Sequence, residues 1–183
     1  MRVVQNMLLT LLVTGVLVTG TLRAQPVNQN QSNDAWLARE VGHELITVPW
    51  YSVFDILKYK VEGGTVTLSG AVVNPTVKTD AINAVKHIEG VEKVVDQIEV
   101  LPPSPMDNQI RRAVYQALFS QPQLQRYEVG NLQAIHVIVK NGHVTLEGSV
   151  DNQQDKDAAT LYAKTVPNVF SVDNNLIVGS GSK

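Results

Sequence analysis

The chain has 183 residues, 15 basic and 17 acidic side chains, and no cysteine. The missing thiols exclude disulfides, zinc-thiolate and iron-sulfur sites, a cysteine nucleophile, and the acylated N-terminal cysteine of a lipoprotein. A formal charge of −2 makes it a poor platform for a polyanion, so no nucleic-acid partner is expected.

Residues 1–24 read as a secretory signal peptide. Arg2 supplies the charged start, Met7 to Leu22 an apolar run, and Ala24 a small residue before a cut ahead of Gln25. An uncleaved anchor is the competing reading. The run is broken by Thr10, Thr14, Gly15, Thr19 and Gly20 and falls short of the ~20 apolar residues that span a bilayer, so cleavage is expected, with no integral membrane span after it. Losing Arg2 and Arg23 leaves 13 basic against 17 acidic residues, a charge of −4. The expected product is soluble, in the periplasm or outside the cell.

Residues 25–33, rich in Gln and Asn, have nothing to bury and read as a flexible leader. A first domain follows over 34–101. Asp34 is a candidate N-cap, Trp36, Leu37, Val41 and Leu45 recur at helical spacing, and Pro49 ends the pattern. Tyr59, Val61, Val66 and Leu68 alternate with polar residues around Gly63-Gly64, which predicts a hairpin with one apolar face. Asn74-Pro75 then starts a helix carrying Val77, Ala81, Ala84, Val85 and Ile88 on one face, and Gly90 stops it. Val91 to Val100 has the composition of a last strand.

Residues 102–106 form a proline-rich linker with limited freedom. A second domain over 107–178 repeats the order, starting at Asp107 or Asn108, and 179–183 is a tail. Ile110, Val114 and Leu118 echo Leu37, Val41 and Leu45 at an offset of 73, whereas Val144-Thr145-Leu146-Glu147-Gly148 echoes Val66-Thr67-Leu68-Ser69-Gly70 at an offset of 78. The difference places a five-residue expansion between Ser120 and Gly130. Asn141-Gly142 is a hairpin signal that pairs Val139 with Val144, Val137 with Leu146 and His136 with Glu147. Gly64, Gly70, Gly142 and Gly148 are assigned structural roles, Gly70 and Gly148 as places where the strand bends or approaches the helix layer. Asn168 stands where the first copy has Gly90.

In each unit a right-handed crossover after the hairpin makes the last strand parallel to the second and sets the second helix on the apolar face, where the first joins it. The predicted fold class is α+β: two tandem small two-layer sandwiches, each helix-strand-strand-helix-strand, with a three-stranded mixed sheet and two helices on one face.

The runs Gly64 to Gly70 and Gly142 to Gly148, with Gly90-Val91, Val94 and Ile98, resemble the BON domain of bacterial envelope proteins. The chain is similar to two-domain members that are osmotically inducible and periplasmic. That resemblance implies a non-enzymatic protein without cofactors that binds phospholipid surfaces and supports envelope integrity or stress tolerance.

The residues themselves offer little for catalysis. No nucleophile elbow, phosphate-binding loop or dinucleotide fingerprint is present. His136 and His143 lie too far apart along one hairpin to share a metal, and a His136–Glu147 pair reads as a half-exposed cross-strand contact. Asp151, Asp155 and Asp157 lack the spacing of a calcium loop and suit a helix N-terminus. Two binding surfaces are predicted. Arg111, Arg112 and Tyr115, on the helix side away from Ile110 and Val114, join Arg126 and Tyr127 of the expanded loop as a site for an anionic phospholipid surface. Alternatively, Trp50 and Tyr51 anchor an envelope protein, which makes the chain an interaction or scaffold module.

Overall fold

A computed structural model describes residues 29–128 and 134–179. The predicted signal peptide, the first residues of the leader and the end of the tail lie outside them. The first unit runs α1 (Gln29–Ile46), β1 (Ile56–Glu62), β2 (Thr65–Val72), α2 (Pro75–Lys86) and β3 (Lys93–Val100). The second runs α3 (Pro105–Phe119), a short 3₁₀ turn (Gln125–Tyr127), β4 (Ile135–Lys140), β5 (His143–Val150), α4 (Gln153–Lys164), β6 (Ser171–Asn174) and β7 (Ile177–Val178). Each sheet has the predicted mixed topology, antiparallel in the hairpin and parallel between its second strand and the last. The register follows the alternation, with Val61 opposite Val66, Tyr59 opposite Leu68, Val139 opposite Val144 and His136 opposite Glu147. In the second unit the last strand is interrupted at Asn175 and Leu176, so β6 and β7 both pair with β5.

Helix starts differ from the sequence reading. α1 begins at Gln29, not at Asp34, so part of the presumed leader is helical. The Asp34 carboxylate instead accepts the Gly63 N–H at 3.0 Å and ties the helix to the hairpin turn. α3 begins at Pro105, because Ser104 caps it by accepting the Asp107 N–H at 3.1 Å, and proline at the first position lacks a donor the helix would not use. Asp107 thereby becomes free for a second task. Buried, it accepts the N–H groups of Asn141 and Gly142 at 2.9 and 2.8 Å, the same helix-to-turn tie that Asp34 makes in the first unit.

Other devices recur at the offset of 78. Lys78 Nζ donates to the Ile98 carbonyl and Lys156 Nζ to the Leu176 carbonyl, each at 2.7 Å. Asn168 takes the role of Gly90, both at positive φ (67° and 88°), which a short polar side chain tolerates. Gly70 and Gly148 share φ 118°, and a Cβ on either would lie 2.0 Å from a carbonyl oxygen, that of Ile56 or Ala134. Of the two roles expected, a bend or an approach to the helix layer, the second is not found, since the close approach is to the neighbouring strand. A side chain there would force the hairpin apart.

The cores hold most of the predicted residues, although Trp36 and Tyr59 lie exposed at 44% and 41%. Leu37, Val41, Val66, Leu68, Val77, Ala81, Val85 and Ile98 pack between the first sheet and its helices, and Ile110, Val114, Val144, Leu146, Ala159 and Leu176 in the second. One core residue is out of place in sequence. Val53, from the loop between α1 and β1, is buried in the core of the second unit, and its carbonyl accepts the Val137 N–H of β4 at 2.7 Å. Burying such a side chain stabilises the docked pair by roughly 1.5–3 kcal/mol. Asp55 holds the loop to its own unit, accepting Val73 N–H at 2.7 Å and Ser52 N–H at 2.9 Å.

The polar faces of the two sheets then meet. Lys58 pairs with Glu147 at 2.9 Å and Lys140 with Glu99 at 2.5 Å. Because the first unit covers the outer side of β4, every residue of that strand except Lys140 is buried, although the alternation predicts one exposed face. His136, expected to be half-exposed, is buried with its ring 5.5 Å from that of Tyr51.

Candidate functional site

The five residues predicted to meet an anionic surface separate into different environments. Arg111 is the clearest correction. It is 2% exposed, with one guanidinium nitrogen donating to the Val139 carbonyl and another to Asn108 Oδ1, both at 2.6 Å. A long side chain one position after Ile110 reaches over the end of β4 rather than into solvent. Burial lowers its pKa, and the nearby Asp107 and Asp55 carboxylates act against that shift. Its work is structural.

Arg126 and Tyr127 are held by α4. Tyr127 is buried, its hydroxyl donating to Asp155 at 2.6 Å and accepting the Asp151 N–H at 2.9 Å. Burial, then the bond to Asp155, raises the phenol's pKa. Arg126 bonds the Tyr127 hydroxyl at 3.0 Å, pairs with Asp151 at 3.3 Å and also reaches Asp155; the Tyr127 and Asp155 bonds raise its pKa. Asp155 therefore does more than complement a helix dipole, since it gathers Tyr127, Arg126 and the cap residue Asn152 into one cluster. Among the described residues no group of three or more acidic or histidine side chains is placed to hold a metal ion.

Arg112 and Tyr115 remain together. Arg112 is exposed and makes no ion pair or side-chain hydrogen bond among the described residues. Tyr115 donates to Glu128, which raises its pKa, and stacks edgewise on Phe54 at 6.2 Å. Here the domain docking matters. Ser52, Val53 and Phe54 of the first unit and Arg112, Tyr115 and Gln116 of α3 line one open cleft of about 380 Å³. The sequence sets Trp50 and Tyr51 in one candidate site and Arg112 and Tyr115 in another, and it carries no sign that Phe54 meets α3, because only the seat of Val53 in the other core brings the loop there.

The second pair of candidates also divides. Tyr51 is half-buried against His136, and burial pushes its phenol up to about 12. Trp50 is 78% exposed and has φ 66°. With Pro49 before it and Tyr51 N–H bonded to the Val48 carbonyl at 3.3 Å, Trp50 takes the turn position where glycine is usual. A bulky residue there costs about 1–2 kcal/mol and gains no burial in return.

No helix among the described residues is long and apolar enough to cross a membrane. No curated protein matches the chain. Among solved structures, one of the C-terminal domain of CdsD, the structural protein of the type III secretion system of Chlamydia trachomatis, is 12% identical with a TM-score of 0.28 and covers 78% of this chain and 97% of its own. A second CdsD structure is 13% identical with a TM-score of 0.28, over 79% and 93% of the two chains. The BON domain model matches residues 33–102 and again 106–180. The chain belongs to the BON domain family and carries the domain twice.

Proposed function

We propose that this is a non-enzymatic cell-envelope protein that associates with anionic phospholipid surfaces at the seam between its two domains and so supports envelope integrity under stress. In this reading residues 1–24 direct export and are removed, and the protein acts in the periplasm. The observation that carries it is the cleft shared by Phe54, Tyr115 and Arg112, which has no ion pair among the described residues, with Trp50 exposed in the same loop. Arg112 supplies a fork of donors for a lipid phosphate, and Trp50 suits the boundary between headgroups and acyl chains. One basic residue adds only about 1 kcal/mol near an anionic surface, so binding is weak and sensitive to salt.

Co-sedimentation with phosphatidylglycerol vesicles, set against phosphatidylcholine vesicles at low and high salt, tests this. Arg112→Glu is expected to abolish the preference for the anionic vesicle, and Trp50→Ala to weaken binding to both. Absence of binding by the parent protein, or no effect of Arg112→Glu, sinks the proposal.

The exposure of Trp50 also favours a second reading, in which the loop anchors an envelope protein and the chain is a scaffold module. Capture of such a partner from envelope extract would depend on Trp50 and only slightly on salt, the opposite of the lipid pattern.

A further inference from the structure

The seam between α1 and α2 in the first domain is lined unlike its counterpart. Along one side stand Trp36, Glu40 and Glu44, along the other Ala84, His87, Ile88 and Glu89, around an open groove of about 420 Å³, and the His87 ring is engaged by the Asn83 carbonyl at 2.6 Å. A second cleft of about 440 Å³ continues it past Trp36 and Glu89 to Glu92 and the Gly63-Gly64 turn. Trp36 is 44% exposed, so an indole face is open to both. Among the described residues Glu40, Glu44, Glu89 and Glu92 take part in no ion pair.

The second domain shows that the fold has no need of this lining. At the offset of 73, Gln109, Ala113 and Ala117 occupy the places of Trp36, Glu40 and Glu44, and at 78 Pro167 and Phe170 those of Glu89 and Glu92. The same helix pair packs there without a carboxylate. Four like charges beside one another oppose folding of the free protein through mutual repulsion, and that repulsion is relieved by a cationic occupant.

The shape selects among cations. From Asn33 to Glu44 the groove follows α1 for roughly 16 Å at ~1.5 Å rise per residue, which matches about five residues of extended chain. A single small cation would meet only part of that charge. We propose that this groove binds a basic, amphipathic segment of a partner protein, its Lys or Arg side chains toward the four glutamates and an apolar side chain against Trp36 and Ile88. An Arg over the indole face would add a cation–π contact. The groove is independent of the lipid contact proposed above and opposite to it in charge preference.

The chain has two tryptophans, so Trp50→Phe leaves Trp36 as the only one and a direct reporter. The probe is a blocked twelve-residue peptide of alternating lysine and leucine, titrated at low salt. A saturable shift of Trp36 emission is expected, weakened on the order of tenfold by Glu40→Gln with Glu44→Gln and by less than twofold by Asp157→Asn with Asp173→Asn, which removes equal charge from the other domain. Glu89→Gln with Glu92→Gln repeats the test should the first pair fail to fold by circular dichroism. The proposal is overturned if the parent gives no saturable shift, if both charge-matched pairs weaken binding equally, or if spermine, a polyamine without apolar side chains, binds as tightly as the peptide.

Discussion

The two domains are one design executed twice, and they agree and disagree in different places. They agree where backbone must be held: Asp34 and Asp107 on the hairpin turns, Lys78 and Lys156 on a last-strand carbonyl, Gly70 and Gly148 against a neighbouring strand. They disagree on the surface, with carboxylates and Trp36 along one helix seam and alanines along the other, and with Tyr115 where the first copy has Gly42, although Arg112 and Arg39 match. Positions kept between copies of one fold mark what folding requires. Positions that diverge at matching sites are free to carry recognition.

The strongest way to break this comparison is at the glycines. Gly70→Ala and Gly148→Ala each place a methyl group 2.0 Å from a carbonyl oxygen at a φ that L-residues avoid. Each is expected to destabilise its domain by on the order of 3–5 kcal/mol in urea unfolding followed by circular dichroism. Unequal losses would show that the two hairpins are not equivalent.

The aspartates sharpen it. Asp107 is buried and accepts two N–H groups, whereas Asp34 accepts one at an exposed contact. Asp107→Ala should therefore cost about 2–3 kcal/mol and Asp34→Ala about 0.5–1 kcal/mol. Equal costs would mean that burial does not govern the tie.

The smallest effect is one of pH. Lys78 bonds Asp96 at 2.8 Å and holds its pKa below the ordinary carboxylate value, while the second domain has Asn174 in that place. A depressed carboxylate contributes stability in full above its unfolded pKa and loses it as pH falls through the folded one. Asp96→Asn should thus flatten the acid arm of the stability curve between pH 7 and the carboxylate range, modestly, because the pair is partly open to solvent. A curve as steep as the parent's would remove Asp96 from the account.

What the sequence could express is local. Period-two alternation, Asn-Gly chemistry and helical spacing each act within a few residues, and the hairpin registers, the crossovers and the start of α2 at Asn74-Pro75 follow from them. The starts of α1 and α3 were misread because an aspartate before an apolar stripe suits a cap and also suits a reach to a distant turn. Only the paired recurrence of Asp34 and Asp107 at the helix offset held the clue. Arg111 and Arg112 are indistinguishable as letters. Which one is buried is decided by the end of β4, a neighbour far along the chain. The shared cleft was illegible for the same reason: it exists only where one domain's loop enters the other.

That loop has a consequence for the order of events in folding. Val53 is made early and its seat beside Val137 late, so during synthesis the first domain must hold an apolar side chain in water until β4 and β5 have formed. Closing so long a loop slows the final step and leaves a transient in which Val53 is available to another copy of the second domain. The proline-rich stretch before Ser104 restricts the orientations the chain can sample in that interval, and thereby favours capture of Val53 within its own molecule.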